Sequence, residues 1–109
     1  MHEIIMDVVN WHYATFPDET ERGQYYKVCS EIVEMWGAGT DEKEHLKEKA
    51  DVCIALISLA FRYDSEMAQL MLCNMLYERR DEELLQAIKD KMEVNKKRTW
   101  KKVNGEYRH

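Results

Sequence analysis

The sequence has few of the residues that break helices or cross-link small folds. Its 109 residues include one proline and four glycines, a composition that favours helices over many short strands joined by turns. The three cysteines, Cys29, Cys53 and Cys73, are an odd number and show no CxxC spacing. This pattern argues against a disulfide framework or a zinc site, and it is typical of buried free thiols in a reducing cytoplasm.

Several functional signatures are also missing from the sequence. No apolar run reaches the length of a membrane span, and the opening MHEIIMDVV has acids but no basic region, so neither a membrane anchor nor a signal peptide is predicted. The motifs GxxxxGKS, GxGxxG and HExxH do not occur. The histidines are scattered and form a poor metal-binding set: His2, His12, His45 and His109. We therefore expect a cytoplasmic protein that does not contact membranes.

Charge is distributed unevenly along the chain. With 45% hydrophobic and 34% charged residues, the composition predicts one globular domain over 1–109. The net charge is −5, yet residues 89–109 carry eight Lys/Arg against three Asp/Glu. The acidic total makes nucleic acid an unlikely partner, because nonspecific binding depends on neutralising phosphates. A weaker alternative keeps the basic stretch 96–102 as a nucleic-acid contact.

Hydrophobic periodicity predicts an all-α bundle of four to five helices. The predicted helices are 2–14, 19–36, 41–63, 66–79 and a fifth that begins at Asp81 and reaches about residue 100.

Residues that cap or break helices give the expected boundaries. Phe16-Pro17 ends the first helix, and Asp18 with Glu21 resembles a cap of the second. Thr40 is expected to cap the third helix, and Asp64-Ser65 the fourth. The pair Asn104-Gly105 predicts a turn, and residues 101–109 are expected to be flexible.

The fourth predicted helix carries a methionine-rich apolar stripe. Its members are Met67, Leu70, Met71, Met75 and Leu76. A stripe of this kind is typical of a core or of a subunit interface, so we expect a homodimer or a homotetramer.

Two acidic pairs flank a glycine-rich turn. Glu31 and Glu34 precede residues 37–40, and Glu48 and Asp51 follow them. Residues three apart share one face of a helix, so a turn that folds the helices together lets four carboxylates converge. Such a cluster repels itself unless cations neutralise it, and Mg²⁺ prefers oxygen ligands.

Asp51 strengthens this hypothesis, although ordinary ion pairs remain an alternative. It is the only charged residue in the apolar run 50–61, where an unpaired carboxylate is costly. Lys47 stands four residues before Asp51, and Lys27 four before Glu31. Either lysine can form an ion pair on the same helix face.

Other residues suit a nucleotide. Lys91, Asn95 and Arg98 are spaced four and three apart and therefore share a helix face. Trp11 is a candidate for stacking on a base, as are Phe16 and Trp100, with simple packing as the alternative for each ring.

Three stretches in order resemble one known family. The string SEIVEMWGAGTDEKEHLKEKADVCIAL, with its two acidic pairs, resembles the MazG-like all-α nucleoside triphosphate pyrophosphohydrolases. The pattern W-x(4)-F-P-x-x-T from Trp11 to Thr20 resembles the opening of phage-type members, and K-x-x-x-N-x-x-R-x-W from Lys91 to Trp100 resembles their last helix. The resemblance covers about residues 8–100.

The resemblance implies a Mg²⁺-dependent cleavage between the α- and β-phosphates, with Mn²⁺ able to substitute. It implies metal ligands that also form the catalytic centre: Glu31, Glu34, Glu48 and Asp51. Lys91, Asn95 and Arg98 would lie near the phosphates or the sugar, and Lys27 would also face phosphate. Phage-type members point to dATP or dGTP as substrate, and to the host cytoplasm if the chain is phage-encoded.

The sequence leaves the subunit arrangement and the choice of function open. Minimal family members join the metal-binding helix to the Lys91 motif by a short link, whereas residues 64–82 here supply an extra amphipathic segment. This leaves the dimer arrangement and any base pocket made by a second subunit undecided. The alternative function is a non-catalytic helical adaptor whose acids only solvate its surface.

Overall fold

The computed structural model describes residues 2–78, 82–103 and 106–108, and it is an all-α bundle, as predicted. Along this part of the chain lie five α-helices: α1 (His2–Thr15), α2 (Glu21–Gly37), α3 (Glu42–Ile57), α4 (Glu66–Leu72) and α5 (Glu82–Lys97). Two of them end in a π-helical segment: α3 continues over Ser58–Arg62, and α4 over Cys73–Glu78.

Two helix caps differ from the prediction by one or two residues. Thr20, and not Asp18, caps α2, because its hydroxyl oxygen accepts from the backbone N–H of Gly23 at 3.0 Å. Asp41, and not Thr40, caps α3: its carboxylate accepts from the N–H groups of the helix's second and third residues at 3.0 and 3.2 Å. A carboxylate satisfies two of the unpaired donors at the start of a helix, which a hydroxyl at Thr40 does not reach here.

The core is built around α3, which contains most of the apolar run 50–61. Residues 52–60 are all buried, and Leu56 and Ile57 have no exposed surface. Burying each such side chain contributes about 1.5–3 kcal/mol to stability. From α5, Ile88 and Met92 pack against this centre. The result is a rigid helix between α2 and α5, from which polar side chains can be held at fixed positions.

The apolar residues of α2 divide between the core and the surface. Val28 is buried, and Ile32 and Met35 pack partly buried against the core. Trp36, however, is 76% exposed. It lies about 80° around the helix from Val28 at 100° per residue, which places it outside the buried face of α2.

The methionine-rich stripe of α4 divides between the core and the surface. Leu76 is buried, while Met71 and Met75 pack partly buried against the core. Met67 and Leu70 remain 53% and 72% exposed. Ser65 caps this helix as predicted, with its hydroxyl accepting from a backbone N–H at 3.3 Å.

The chain end differs from the prediction. The fifth helix ends at Lys97 and not near residue 100. Lys101–Val103 then pairs antiparallel with Glu106–Arg108 in a short two-stranded sheet that was not predicted. The predicted turn at Asn104-Gly105 and the predicted helix boundary at Asp81 lie outside the described residues.

All three cysteines are free thiols. Cys53 is buried, and burial raises the pKa of its thiol to about 12, so it is unreactive. Cys29 and Cys73 are exposed, although buried thiols were predicted. Among the helices of the described ranges, none has the length and apolarity that crossing a membrane requires.

Arg62 ties the end of α1 to the π-helical segment after α3. Its guanidinium donates to the carbonyl oxygens of His12, Phe16 and Pro17 at 3.3, 2.7 and 3.2 Å. It also lies over the ring of Tyr13, 4.5 Å from the centroid. The carbonyls of His12 and Phe16 also accept from the backbone N–H groups of Phe16 and Glu19, at 2.8 and 3.2 Å. Arg62 therefore adds a charged donor from another element to a turn that the backbone already closes.

We expect Arg62→Met to lower the free energy of unfolding by about 3 kcal/mol, because three carbonyl oxygens lose a hydrogen bond from a charged donor. Urea unfolding followed by circular dichroism measures this. Arg22→Met is the matched control: Arg22 is exposed and lies over the Tyr26 ring at 5.6 Å, so its loss should change stability by less than about 0.5 kcal/mol. Equal effects of the two variants would contradict the bracing role of Arg62.

Candidate functional site

All the residues predicted for the site line one cavity of about 390 Å³. They are Trp11, Lys27, Glu31, Glu34, Glu48, Asp51, Lys91, Asn95 and Arg98. Its volume falls within the range of small-molecule pockets. Helices α1, α2, α3 and α5 contribute to its walls, so the cavity brings together residues from nearly the whole length of the chain.

The turn between α2 and α3 brings the acidic pairs together. Gly39 has φ +66°, a left-handed conformation that glycine adopts without strain. The turn reverses the chain, so that α3 packs against α2. One carboxylate oxygen from each of Glu31, Glu34 and Glu48 then lies within 4.8 Å of the others. We call these three residues the glutamate cluster.

Two oxygens of the glutamate cluster are buried without a partner. Oε2 of Glu31 and Oε2 of Glu48 have no hydrogen bond within the described part of the chain. Burial raises the pKa of Glu31, with Lys27 opposing the shift. Burial also raises the pKa of Glu48, and the charges of Glu34 and Glu31 raise it further. An unpaired buried acceptor costs about 1–3 kcal/mol, which a bound cation would offset.

Glu31 also takes part in the ion pair that the sequence offered as an alternative. Lys27 Nζ lies 3.1 Å from Glu31 Oε1, four residues along the same helix. This pair uses one carboxylate oxygen and leaves the other, Oε2, without a partner. The ion pair and a cation site are therefore compatible at Glu31.

Asp51 lies in the same cavity but pairs with a cation from another helix. Its Oδ1 is 3.4 Å from Nζ of Lys91 on α5, whereas Lys47 on its own helix was the partner that the spacing suggested. Burial raises the pKa of Asp51, while Lys91 lowers it. Among the described residues, the group of converging acids contains the three glutamates and not Asp51. Three of the four predicted metal ligands thus converge, and the fourth is held by a lysine.

The glutamate cluster suits a hard divalent cation. Its donors are all carboxylate oxygens, and among the described residues Oε2 of Glu31 and Oε2 of Glu48 have no hydrogen-bond partner. Mg²⁺ takes oxygen ligands, often one or two carboxylates, and completes its shell with waters and substrate phosphates. Glu34 is exposed, so the cluster is open to the cavity on one side, as a shared ligand shell requires.

The cavity follows α3 from the acidic turn toward α1. Glu48, Asp51, Ala55 and Ser58 succeed one another at helical spacing, and all line the cavity. At 1.5 Å per residue, Ser58 lies about 15 Å along the axis from Glu48. Opposite Ala55, Gln24 of α2 donates from Nε2 to the Ala55 carbonyl oxygen at 2.9 Å. The cavity therefore has an acidic end at the glutamate cluster and, about 15 Å away along α3, a far end at Ser58, where Phe16 and the neighbouring Glu19 also line it.

Aromatic rings close the far end of the cavity. The rings of Trp11, Phe16 and Trp100 meet edge to face, with centroids 5.2–5.9 Å apart. We call these three residues the aromatic end. The indole N–H of Trp100 donates to the carbonyl oxygen of Asn95 at 3.1 Å. The rings pack on one another, as the packing alternative required, and also line the cavity.

Sequence reasoning missed a buried hydrogen-bonded chain in this wall. Arg62 donates to Nδ1 of His12 at 2.8 Å, which assigns the ring proton to Nε2. His12 Nε2 then donates to Gln24 Oε1 at 2.9 Å, and Gln24 donates to Ala55. Burial lowers the pKa of His12 to about 4, so the ring is neutral. This chain fixes the wall between α1, α2 and α3.

Two residues of this wall could have been predicted from their spacing in the sequence. Ser58 is the only polar residue besides Asp51 in the run 50–61, and it follows Asp51 by seven residues, two helical turns. Gln24 likewise precedes Glu31 by seven residues. Both therefore had to share a face with a predicted site residue. Nothing local marks Arg62, because its partners lie 45 or more residues away.

Comparisons with family models, with curated proteins and with solved structures find no match for this chain. A family assignment therefore has no relative to support it. The function has to be inferred from the residues that line the cavity.

Proposed function

We propose that this protein is a metal-dependent nucleoside triphosphate pyrophosphohydrolase. It would cleave a nucleoside triphosphate into the monophosphate and pyrophosphate, as the family that it resembles does. The observation that carries the proposal is a single cavity lined by the glutamate cluster, by Lys27, Lys91 and Arg98, and by the aromatic end. These groups suit a divalent cation, a polyphosphate and a base, respectively.

The glutamate cluster would hold Mg²⁺, or Mn²⁺ in its place. When bound, the ion supplies neutralisation of the triphosphate charge and lowers the pKa of a coordinated water. Either Glu34 or Glu48 is the candidate to accept the proton of the attacking water. The partnerless Oε2 of Glu48 favours it as a ligand, while the exposure of Glu34 to the cavity favours it as the base.

The basic side chains would bind the phosphates. Lys91 lies on α5, and Arg98 follows the last residue of that helix. The positive charges of both residues lower the pKa of Asp51, so both lie close to the acidic end. Arginine grips a phosphate with two parallel hydrogen bonds, and lysine acts as a point charge. Lys27 faces the cavity from α2. Asn95, one turn beyond Lys91 and 6% exposed, offers donors and an acceptor to the sugar.

We propose a homodimer or a homotetramer in the cytoplasm. The support is the exposed apolar surface of α4, where Met67 and Leu70 face solvent, together with Val33 and Trp36 on α2, which are 63% and 76% exposed. Exposed apolar surface of this kind marks contact surfaces. Light scattering at micromolar concentration should give at least twice the mass of one chain, and a monomer would rule out the assembly.

The experiment that tests the function is a nucleotide panel. Pyrophosphate release is measured from the common ribo- and deoxyribonucleoside triphosphates with Mg²⁺, with dATP and dGTP expected among the substrates. EDTA should abolish the release, and Mn²⁺ should restore it. Turnover that survives EDTA would remove the metal from the proposal. No turnover on any nucleotide would favour the non-catalytic adaptor.

A further inference from the structure

A hydroxyl group without a hydrogen-bond partner lies in the wall of the cavity. Ser58 is wholly buried and lines the cavity, and its Oγ has no hydrogen bond within the described residues. A serine in a helix often donates to the carbonyl four residues back, but Ser58 makes no such bond to Ile54. A buried polar group left unsatisfied in this way needs an explanation, and a bound ligand is one.

The position of Ser58 excludes the metal and the outer phosphates as its partner. It lies seven residues beyond Asp51 on α3, or about 10 Å farther along the axis, and about 15 Å from Glu48. It is three residues beyond Ala55, whose carbonyl Gln24 holds. Ser58 therefore belongs to the end of the cavity that is remote from the glutamate cluster.

The aromatic end lies beside this wall. Gln24 binds His12, and the His12 ring is 5.0 Å from the ring of Phe16. His12 and Gln24 are bonded to each other, to Arg62 and to Ala55. These bonds hold the wall in place, whereas the hydroxyl of Ser58 has both its donor and its acceptor uncommitted.

We infer that Ser58 reads the nucleobase, by a hydrogen bond from its hydroxyl to a polar atom on the edge of a base that packs at the aromatic end. The inference rests on the proposed function, which assigns the triphosphate to the acidic end. A buried polar group with no partner of its own discriminates among ligands, since a base that lacks the matching atom leaves the hydroxyl unpaired.

Ser58→Ala tests the inference, with Ser30→Ala as the matched control because Ser30 is an exposed serine on α2. We expect Ser58→Ala to lower kcat/KM about tenfold on the preferred nucleotide, as the loss of one uncharged hydrogen bond does. The kcat/KM of Ser58→Ala on the other nucleotides should fall less than about threefold. The ratio of kcat/KM between the preferred nucleotide and the others should therefore decrease. Ser30→Ala should leave the spread unchanged, and neither variant should alter Mn²⁺ binding to the free protein.

Three results would decide against the inference or against its premise. If Ser58→Ala raises the melting temperature but changes all nucleotides equally or not at all, the serine is structural and the inference fails. If the wild type binds nucleotides without hydrolysing them, the proposed function fails. The inference about Ser58 then holds only if Ser58→Ala raises the dissociation constant of the preferred nucleotide more than those of the others. If the wild type neither binds nor hydrolyses any nucleotide, both fail. Tryptophan fluorescence titration and equilibrium dialysis supply the binding constants.

Discussion

Replacing any member of the glutamate cluster with glutamine is expected to lower kcat/KM about a hundredfold or more, as the loss of a group that stabilises transition-state charge does. Glutamine keeps the shape of the side chain and removes the negative charge that a cation requires, so the fold should survive. Pyrophosphate release and Mn²⁺ calorimetry measure the two effects. Glu83→Gln, on the exposed surface of α5, is the control and should keep full activity.

Two of these variants, Glu31→Gln and Glu48→Gln, also test a prediction about the stability of the metal-free protein. The pKa values of Glu31 and Glu48 are raised above 4.5, chiefly by burial. A carboxyl group with a raised pKa contributes stability at low pH, and that contribution is lost as the pH rises through the raised value. Glutamine does not titrate, so Glu31→Gln and Glu48→Gln should equal or exceed the wild type in stability at neutral pH.

Thermal melts in EDTA across the pH range check this sign. The advantage of Glu31→Gln over the wild type should shrink as the pH falls toward 4.5, the ordinary value of the glutamate side chain. A variant that is less stable than the wild type at neutral pH would instead show that the ion pair between Lys27 and Glu31 dominates. The glutamate cluster would then be structural.

Lys91→Met is expected to have the next largest effect, because Lys91 serves two partners. It should lower kcat/KM by about a hundredfold through loss of a phosphate contact. It should also raise the Mn²⁺ affinity of the free protein, by about tenfold or more, since a positive charge 3.4 Å from Asp51 is removed from the acidic end. Steady-state kinetics and calorimetry on the free protein measure the two changes.

Arg98→Ala is the comparison variant for Lys91→Met. Its charge reaches Asp51 less strongly than that of Lys91, so its loss should alter KM or kcat for the nucleotide and leave Mn²⁺ affinity nearly unchanged. If Lys91→Met weakens Mn²⁺ binding, then Lys91 orients Asp51 as a metal ligand, and the assignment of Asp51 to the lysine is wrong. Asp51→Asn separates the cases, since it should weaken Mn²⁺ binding only if Asp51 is a ligand.

The sequence by itself determined the all-α architecture, the buried α3 and the convergence of three of the four paired acids, Glu31, Glu34 and Glu48. Each of these follows from local rules. Helical periodicity places Glu31 with Glu34 on one face, and a glycine with positive φ at residue 39 reverses the chain over a few residues. Residues that are close in the sequence can adopt few relative positions. Their spacing was therefore sufficient to predict that they meet.

Only the tertiary structure decided which partner each polar group takes. Asp51 pairs with Lys91, forty residues away, and not with Lys47 on its own helix. His12 and Arg62 are fifty residues apart and form one buried chain with Gln24. These contacts depend on how α1 and α5 pack against α3, which is set by the fit of many apolar side chains. Helix spacing shows which residues of the same helix can contact each other. It does not show which residue of another helix the packed core brings within hydrogen-bonding distance.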